Sequence, residues 1–168
     1  MSNEVQLDPE VIAAALQFLE DWHVEPHSVE VPFINWGYGF GGRIDLIGTW
    51  FAGGPPDLVG RTILLDWKFR ETKPDQKITY WPDYVINLAG YGVGYFDRLP
   101  YKLLEECDLV SVVVSVNEPG RYEFKVWELS EVEQAWLEFY ADLQAWFVAK
   151  KYDPREGPHG NDENDEDE

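Results

Sequence analysis

At 168 residues, with 45% hydrophobic and 15% aromatic side chains, the chain can build one globular domain with a substantial core; this excludes an intrinsically disordered polymer and two domains of ordinary size. A formal net charge of −19 excludes a broad basic surface for gripping polyanions, and a single cysteine excludes an internal disulfide. No basic-then-apolar leader and no run of membrane-span length occurs, which reads as an intracellular, cytoplasmic protein with no membrane partner.

In chain order, Asp8-Pro9 reads as a helix cap and first turn, and Val11, Ile12, Ala15, Leu16, Leu19 and Trp22 follow at helical spacing, which predicts a helix over 8–23. Pro26 is expected to end that region. Val29, Val31 and Phe33 then alternate with Ser28, Glu30 and Pro32, a first strand with Glu30 on the face opposite its apolar set. His23 and His27 nearby read as surface residues, with metal service as the lesser alternative. Four glycines within Asn35 to Gly42 permit a tight hairpin, and a second strand, Arg43 to Phe51, carries Asp45 inside the run Ile44, Leu46, Ile47. An acid there needs a partner, which a metal would supply.

Residues 52–60 read as a loop, and Thr62 to Phe69 as a third strand in which Asp66 and Lys68 share one face while Ile63, Leu65, Trp67 and Phe69 share the other. An edge strand with a solvated charge pair is one reading. A divalent-metal site for phosphodiester hydrolysis is the other, with Asp66 as ligand and Lys68 positioning the attacking water. Glu30, Asp45 and Asp66 from three successive strands would give a hard cation such as Mg2+ its oxygen ligands.

Arg70, Lys73 and Lys77, with Tyr80 and Trp81 just beyond, form the densest basic stretch. They suit either phosphate and base contacts or a solvated loop beside two core aromatics. Pro82-Asp83 opens a second helix over 84–96, where Asp83, Asn87, Tyr91 and Tyr95 recur as one polar-aromatic stripe and Val85, Ile86, Leu88, Ala89 and Val93 face the sheet. Gly90, Gly92 and Gly94 each cost that helix about 1 kcal/mol relative to alanine, so either it lies tight on the sheet or something large crosses it.

A helical turn is expected over 104–108, a strand over 109–116, a turn over 117–120 and an alternating strand over 121–127. Cys107 beside this apolar segment reads as a buried, inert thiol. Ser130 with Glu133 has the spacing of a capping box before a closing amphipathic helix through Phe147. Residues 1–152 are thus expected as one domain and 153–168 as a disordered acidic tail; the tail holds eight acids against Arg155, a balance of −7 that leaves −12 on the body.

The segments Gly42-Arg43-Ile44-Asp45-Leu46-Ile47-Gly48, Leu64-Leu65-Asp66-Trp67-Lys68-Phe69 and Asn87-Leu88-Ala89-Gly90-Tyr91, in that order, resemble the PD-(D/E)XK nuclease superfamily, in the branch of the RecB nuclease domain, lambda-type exonucleases and phage exonucleases. The resemblance implies a restriction-endonuclease-like αβββαβ core, α+β with a central mixed sheet flanked by helices, in a single domain. It implies a Mg2+- or Mn2+-dependent deoxyribonuclease, an exonuclease of phage or mobile-element DNA processing, recombination or repair that leaves a 5'-phosphate. Asp45 and Asp66 would be the metal ligands, Lys68 the catalytic lysine and Glu30 a further acid, with His27 its rival. Asn87, standing where the family has glutamine, with Tyr91, Arg43, Arg70 and Lys73, would contact DNA. Partners implied are DNA and either further copies of the chain or a recombination protein. The competing reading is a non-catalytic, nuclease-like acidic protein that binds or decoys a basic partner, motivated by the charge of −19.

Overall fold

The computed structural model describes residues 8–156. Helix α1 (Pro9–Asp21) precedes β1 (Val24–Asn35), β2 (Phe40–Trp50) and β3 (Thr62–Arg70), which pair antiparallel in succession. Helices α2 (Pro82–Phe96) and α3 (Pro100–Leu103) then cross over to β4 (Cys107–Ser115), parallel to β3. Strand β5 (Tyr122–Val126) returns antiparallel, and α4 (Leu129–Lys150) packs back over the sheet before a 3-10 turn at Pro154–Glu156. The result is a single α+β domain built on one mixed sheet, ordered β1-β2-β3-β4-β5, with the expected αβββαβ succession running from α1 to β4.

Strand alternation divides the core in two. Ile63 and Leu65 of β3, with Val110, Val112 and Val114 of β4, pack beneath Phe18 of α1; Leu64, Leu109 and Val113 meet Leu88 and Val93 of α2 and Val132 of α4 on the other face. Every residue of β4 is buried, as a β-branched strand held between two neighbours requires. Strand β3 likewise has partners on both sides, so its charged pair does not belong to an edge strand.

Three local expectations are corrected. Pro26 does not end the first region: β1 begins at Val24 and accommodates Pro26 and Pro32 because it is the sheet edge, with a register shift between Pro26 and Ser28. The helical turn expected at 104–108 lies earlier, at Pro100–Leu103, because the parallel ladder to β3 takes Cys107 and Asp108 into the strand. The cap of α4 is Glu128 with Glu131, two residues before the Ser130 and Glu133 box; the Glu128 N–H donates to Glu131 Oε2 at 3.2 Å, and Lys125 Nζ holds Glu131 at 2.6 Å.

The α2 glycines admit rings from both flanks. A Cβ on Gly90 would lie 2.5 Å from the Phe139 ring of α4, and one on Gly94 would lie 2.6 Å from the rings of Phe33 and Phe40. At Gly48 the obstacle is backbone, since a Cβ there would lie 2.5 Å from the Glu25 carbonyl oxygen. Gly48→Ala is therefore expected to pry β1 from β2 and destabilise the protein by about 1–3 kcal/mol in a urea titration; an unchanged midpoint would show that the strands have room.

Among the described residues no helix is long and apolar enough to cross a membrane. Of the expected acidic tail, residues 157–168 lie outside the described residues. Arg155, just before them, pairs with Asp153 and sits 5.0 Å from the centroid of the Phe147 ring.

Candidate active site

The face of β3 turned toward α2 carries Leu64, Asp66 and Lys68 in alternation, so the Asp66 carboxylate is placed under helices; its residue is only 5% exposed. Lys68 Nζ lies 2.7 Å from Asp66 Oδ2, and the same ammonium sits 5.2 Å from the Tyr84 ring centroid at the start of α2. Burial pushes the Asp66 carboxyl up to about 6; Lys68 pulls it down, and the charges of Asp45 and Asp83 push it up again. Apart from the ammonium, Asp66 Oδ2 is buried with no hydrogen-bond partner among the described residues.

Asp45 reaches this pair through an irregularity in β2. The β2–β3 ladder runs from Thr49 opposite Thr62 to Leu46 opposite Leu65, and no further pairs follow. Past that point Asp45 Oδ2 accepts the Trp67 N–H at 2.8 Å, taking the place of a ladder carbonyl. Ile44 belongs to the core beneath α2 and Leu46, two residues on, to the core beneath α1, so the alternation slips by one position at Asp45. On β1, between Val29 opposite Leu46 and Val31 opposite Ile44, Glu30 has φ 51°. Such irregularities re-aim a side chain, here into the opening between strands where its charge is felt by Asp66.

Tyr91 of α2 joins the group. Its ring lies edge-on to Phe33 with centroids 6.1 Å apart, and a Cβ on Gly42 would come within 2.9 Å of it, so the backbone of β2 approaches closely. Burial raises the phenol above its ordinary value and the Asp66 charge raises it further, which leaves the hydroxyl protonated at neutral pH.

The remaining expected residues have other partners, although the Arg43 charge still reaches Tyr91. Glu30 and Arg43 form a surface ion pair at 2.7 Å, and no group of three or more His, Cys, Asp or Glu with metal-holding placement occurs among the described residues. His27 Nε2 is 2.8 Å from Thr49 Oγ1, toward the other end of β2, and His23 packs edge-on to Phe51. Asn87 lines an apolar cavity of about 480 Å³ between α2 and α4, bordered by Phe40, Phe139 and Trp146. Arg70 gives its guanidinium to the Thr79 carbonyl at 2.5 Å and to the Trp81 ring, 4.9 Å to the centroid. Lys73 is exposed at the rim of a separate cavity beside it.

Two residues at the site escaped the sequence reading of its chemistry, Asp83 and Tyr84. Asp83 acts on Asp66 through its charge, and Tyr84 is the aromatic floor beneath Lys68. The position of Asp83 four residues before Asn87 and eight before Tyr91 was the available signal for the first; only the crossing of α2 over β3 reveals the second.

The residues present fit a divalent cation. Asp45 and Asp66 supply two carboxylates, the buried Asp66 Oδ2 has no partner among the described residues besides the Lys68 ammonium, and Mg2+ commonly takes one or two protein carboxylates with water and phosphate completing its shell. The raised Asp66 value makes stability fall as pH rises. The folded protein holds this proton up to about pH 6 and the unfolded chain only to about pH 3.8, so the carboxyl's contribution is full at low pH and is lost as pH rises through that window. The loss amounts to about 3 kcal/mol. In chelator, Asp66→Asn should remove this component of the pH dependence; parallel stability-against-pH curves for variant and parent would refute the assignment.

Compared with known proteins, the chain matches no family model and no curated protein sequence.

Proposed function

We propose that the chain is a Mg2+- or Mn2+-dependent deoxyribonuclease of the PD-(D/E)XK type, an exonuclease acting in phage or mobile-element DNA processing, recombination or repair. The observation that carries this reading is the buried Asp66 carboxylate, with Lys68 Nζ 2.7 Å away on the same strand face and the Asp45 charge beside it. An ordinary structural ion pair has no use for a second unneutralised acid at its side. A magnesium or manganese ion held by Asp45 and Asp66 would polarise the scissile phosphate and lower the pKa of a bound water.

The chain's own groups divide the remaining work. Trp67 N–H fixes the Asp45 carboxylate. The Lys68 ammonium, held against Tyr84, supplies positive charge where negative charge grows on the attacked phosphate. Tyr91, kept protonated by its surroundings, offers an O–H donor to a phosphate oxygen. End-labelled DNA incubated with magnesium, with manganese and with chelator tests the reading: cleavage is expected with either metal and none with chelator. Absence of cleavage under every condition would instead favour an acidic binding protein.

A further inference from the structure

The distribution of positive charge is uneven in a way that the catalytic pair does not explain. Of the thirteen Lys and Arg residues, eight sit in ion pairs with acids: Arg43, Arg61, Lys68, Arg98, Lys102, Arg121, Lys125 and Arg155. Five have no acid paired with them among the described residues, and three of those, Arg70, Lys73 and Lys77, line one polar cavity of about 330 Å³ at the end of β3, whose lining includes a single acid, Glu71. In a chain of net charge −19, three cations with no ion pair among the described residues, gathered at one cavity with one acid, call for an anion.

The cavity is firmly built. Its loop, residues 71–81, is held by side chains of the β4–β5 hairpin. Asn117 accepts the Thr72 N–H at 2.8 Å and donates to the Thr72 carbonyl at 3.0 Å, and Arg121 donates to the Lys73 and Gln76 carbonyls. Thr72 Oγ1 and the fully buried Ser115 Oγ lie 2.8 Å apart beneath it. The backbone is thereby fixed while the Lys73 and Lys77 side chains remain exposed. Arg70 is positioned under Trp81, whose ring is half exposed at the cavity wall.

This cavity adjoins the catalytic pair. Lys68 and Arg70 lie on the same face of β3, about 7 Å apart along the strand. From Lys68 the aromatic path continues to Tyr84, and from Tyr84 to Trp81 at 5.6 Å between centroids.

We infer that this cavity is a nucleotide subsite for single-stranded DNA, in which Trp81 stacks on an unpaired base and Lys73 and Lys77 hold the adjoining phosphate, so that the strand leaving Lys68 is read as a single strand. The inference rests on the nuclease reading for its orientation and on the cavity alone for its binding. An aromatic ring stacks only on a base whose face is free, which a duplex interior does not offer. Lys73 and Lys77 neutralise a short stretch of backbone, whereas a duplex laid on this surface would bring many phosphates against acids.

The test is equilibrium binding of the full chain, in chelator, to fluorescein-labelled oligothymidylate and to a blunt duplex of the same length. Oligothymidylate is expected to bind more tightly. Trp81→Ala should weaken it about tenfold or more, with Trp81→Phe recovering much of the loss. Lys73→Ala combined with Lys77→Ala should lower the slope of log affinity against log salt by about 0.7 per lysine. Far-ultraviolet circular dichroism and the thermal midpoint of each variant check that these exposed positions leave the fold intact. Equal or tighter duplex binding, or single-strand binding indifferent to Trp81 and both lysines, overturns the inference, even where metal-dependent cleavage stands. Conversely, Trp81-dependent single-strand binding without cleavage under any metal supports the subsite and removes the nuclease reading.

Discussion

Lys68→Met is expected to reduce metal-dependent DNA cleavage at least about a thousandfold while the protein remains folded. The methionine keeps an unbranched apolar stem against the Tyr84 ring, so packing at the α2–β3 crossing is retained and the change is confined to charge. Without the ammonium, the attacked phosphate loses the positive charge proposed to offset its growing negative charge, and Asp66 loses the cation 2.7 Å from its Oδ2. Burial then raises the carboxyl further, so divalent metal is expected to bind more weakly near pH 6 and to recover toward pH 8, whereas the cleavage defect persists at saturating metal. Asp66→Ala should abolish cleavage to a similar degree by removing one of the two proposed ligands, and here no metal concentration should restore it. The measurement is single-turnover cleavage of end-labelled DNA across a metal titration, beside circular dichroism of each variant. Cleavage by Lys68→Met within about tenfold of the parent would remove the lysine from the chemistry.

Asp108→Ala is expected to destabilise the protein by about 3–5 kcal/mol, the largest single-residue effect we anticipate outside the apolar core. The Asp108 carboxylate, 6% exposed, accepts from the Trp50 indole N–H at 3.0 Å and from Arg61 Nε at 2.9 Å, with Arg61 Nη2 at 2.8 Å. Arg61 in turn donates to the Leu104 and Glu105 carbonyls. One carboxylate therefore ties the end of β2, the loop before β3, the chain leaving α3 and the start of β4. Alanine would strand a fully buried indole N–H and a half-buried guanidinium together, which is why the loss exceeds that of an exposed pair. Asp108→Asn keeps a neutral acceptor for Trp50 and should lose less. Urea unfolding of both variants decides it, and a loss under about 1 kcal/mol for alanine would mean that the network is solvated. Since the network lies at the other end of β3 from Asp66, cleavage by the folded fraction should be unaffected.

Much of the candidate site was legible in the chain itself because its signals are local. Alternation alone puts Asp66 and Lys68 on one face of β3 and Ile63 and Leu65 on the other, and the α2 glycines announce close packing before any partner is known. The order of strands and helices follows from turn residues and apolar periods, while the α+β architecture with its mixed sheet was what the family resemblance implied. Long-range pairing lies beyond that reach. The β2–β3 ladder ends at Leu46, which lets Asp45 bond to Trp67, and Glu30 finds Arg43 at the surface where sequence reasoning expected a third metal ligand. Arg70 is drawn onto Trp81, because the 71–81 loop folds back under the grip of Asn117 and Arg121 from a hairpin over 40 residues away. Residue pattern thus determined which side chains share a strand face and in what order the elements come. Only the tertiary structure decided which charges neutralise one another and which remain free, since that depends on distances between segments that no local period encodes.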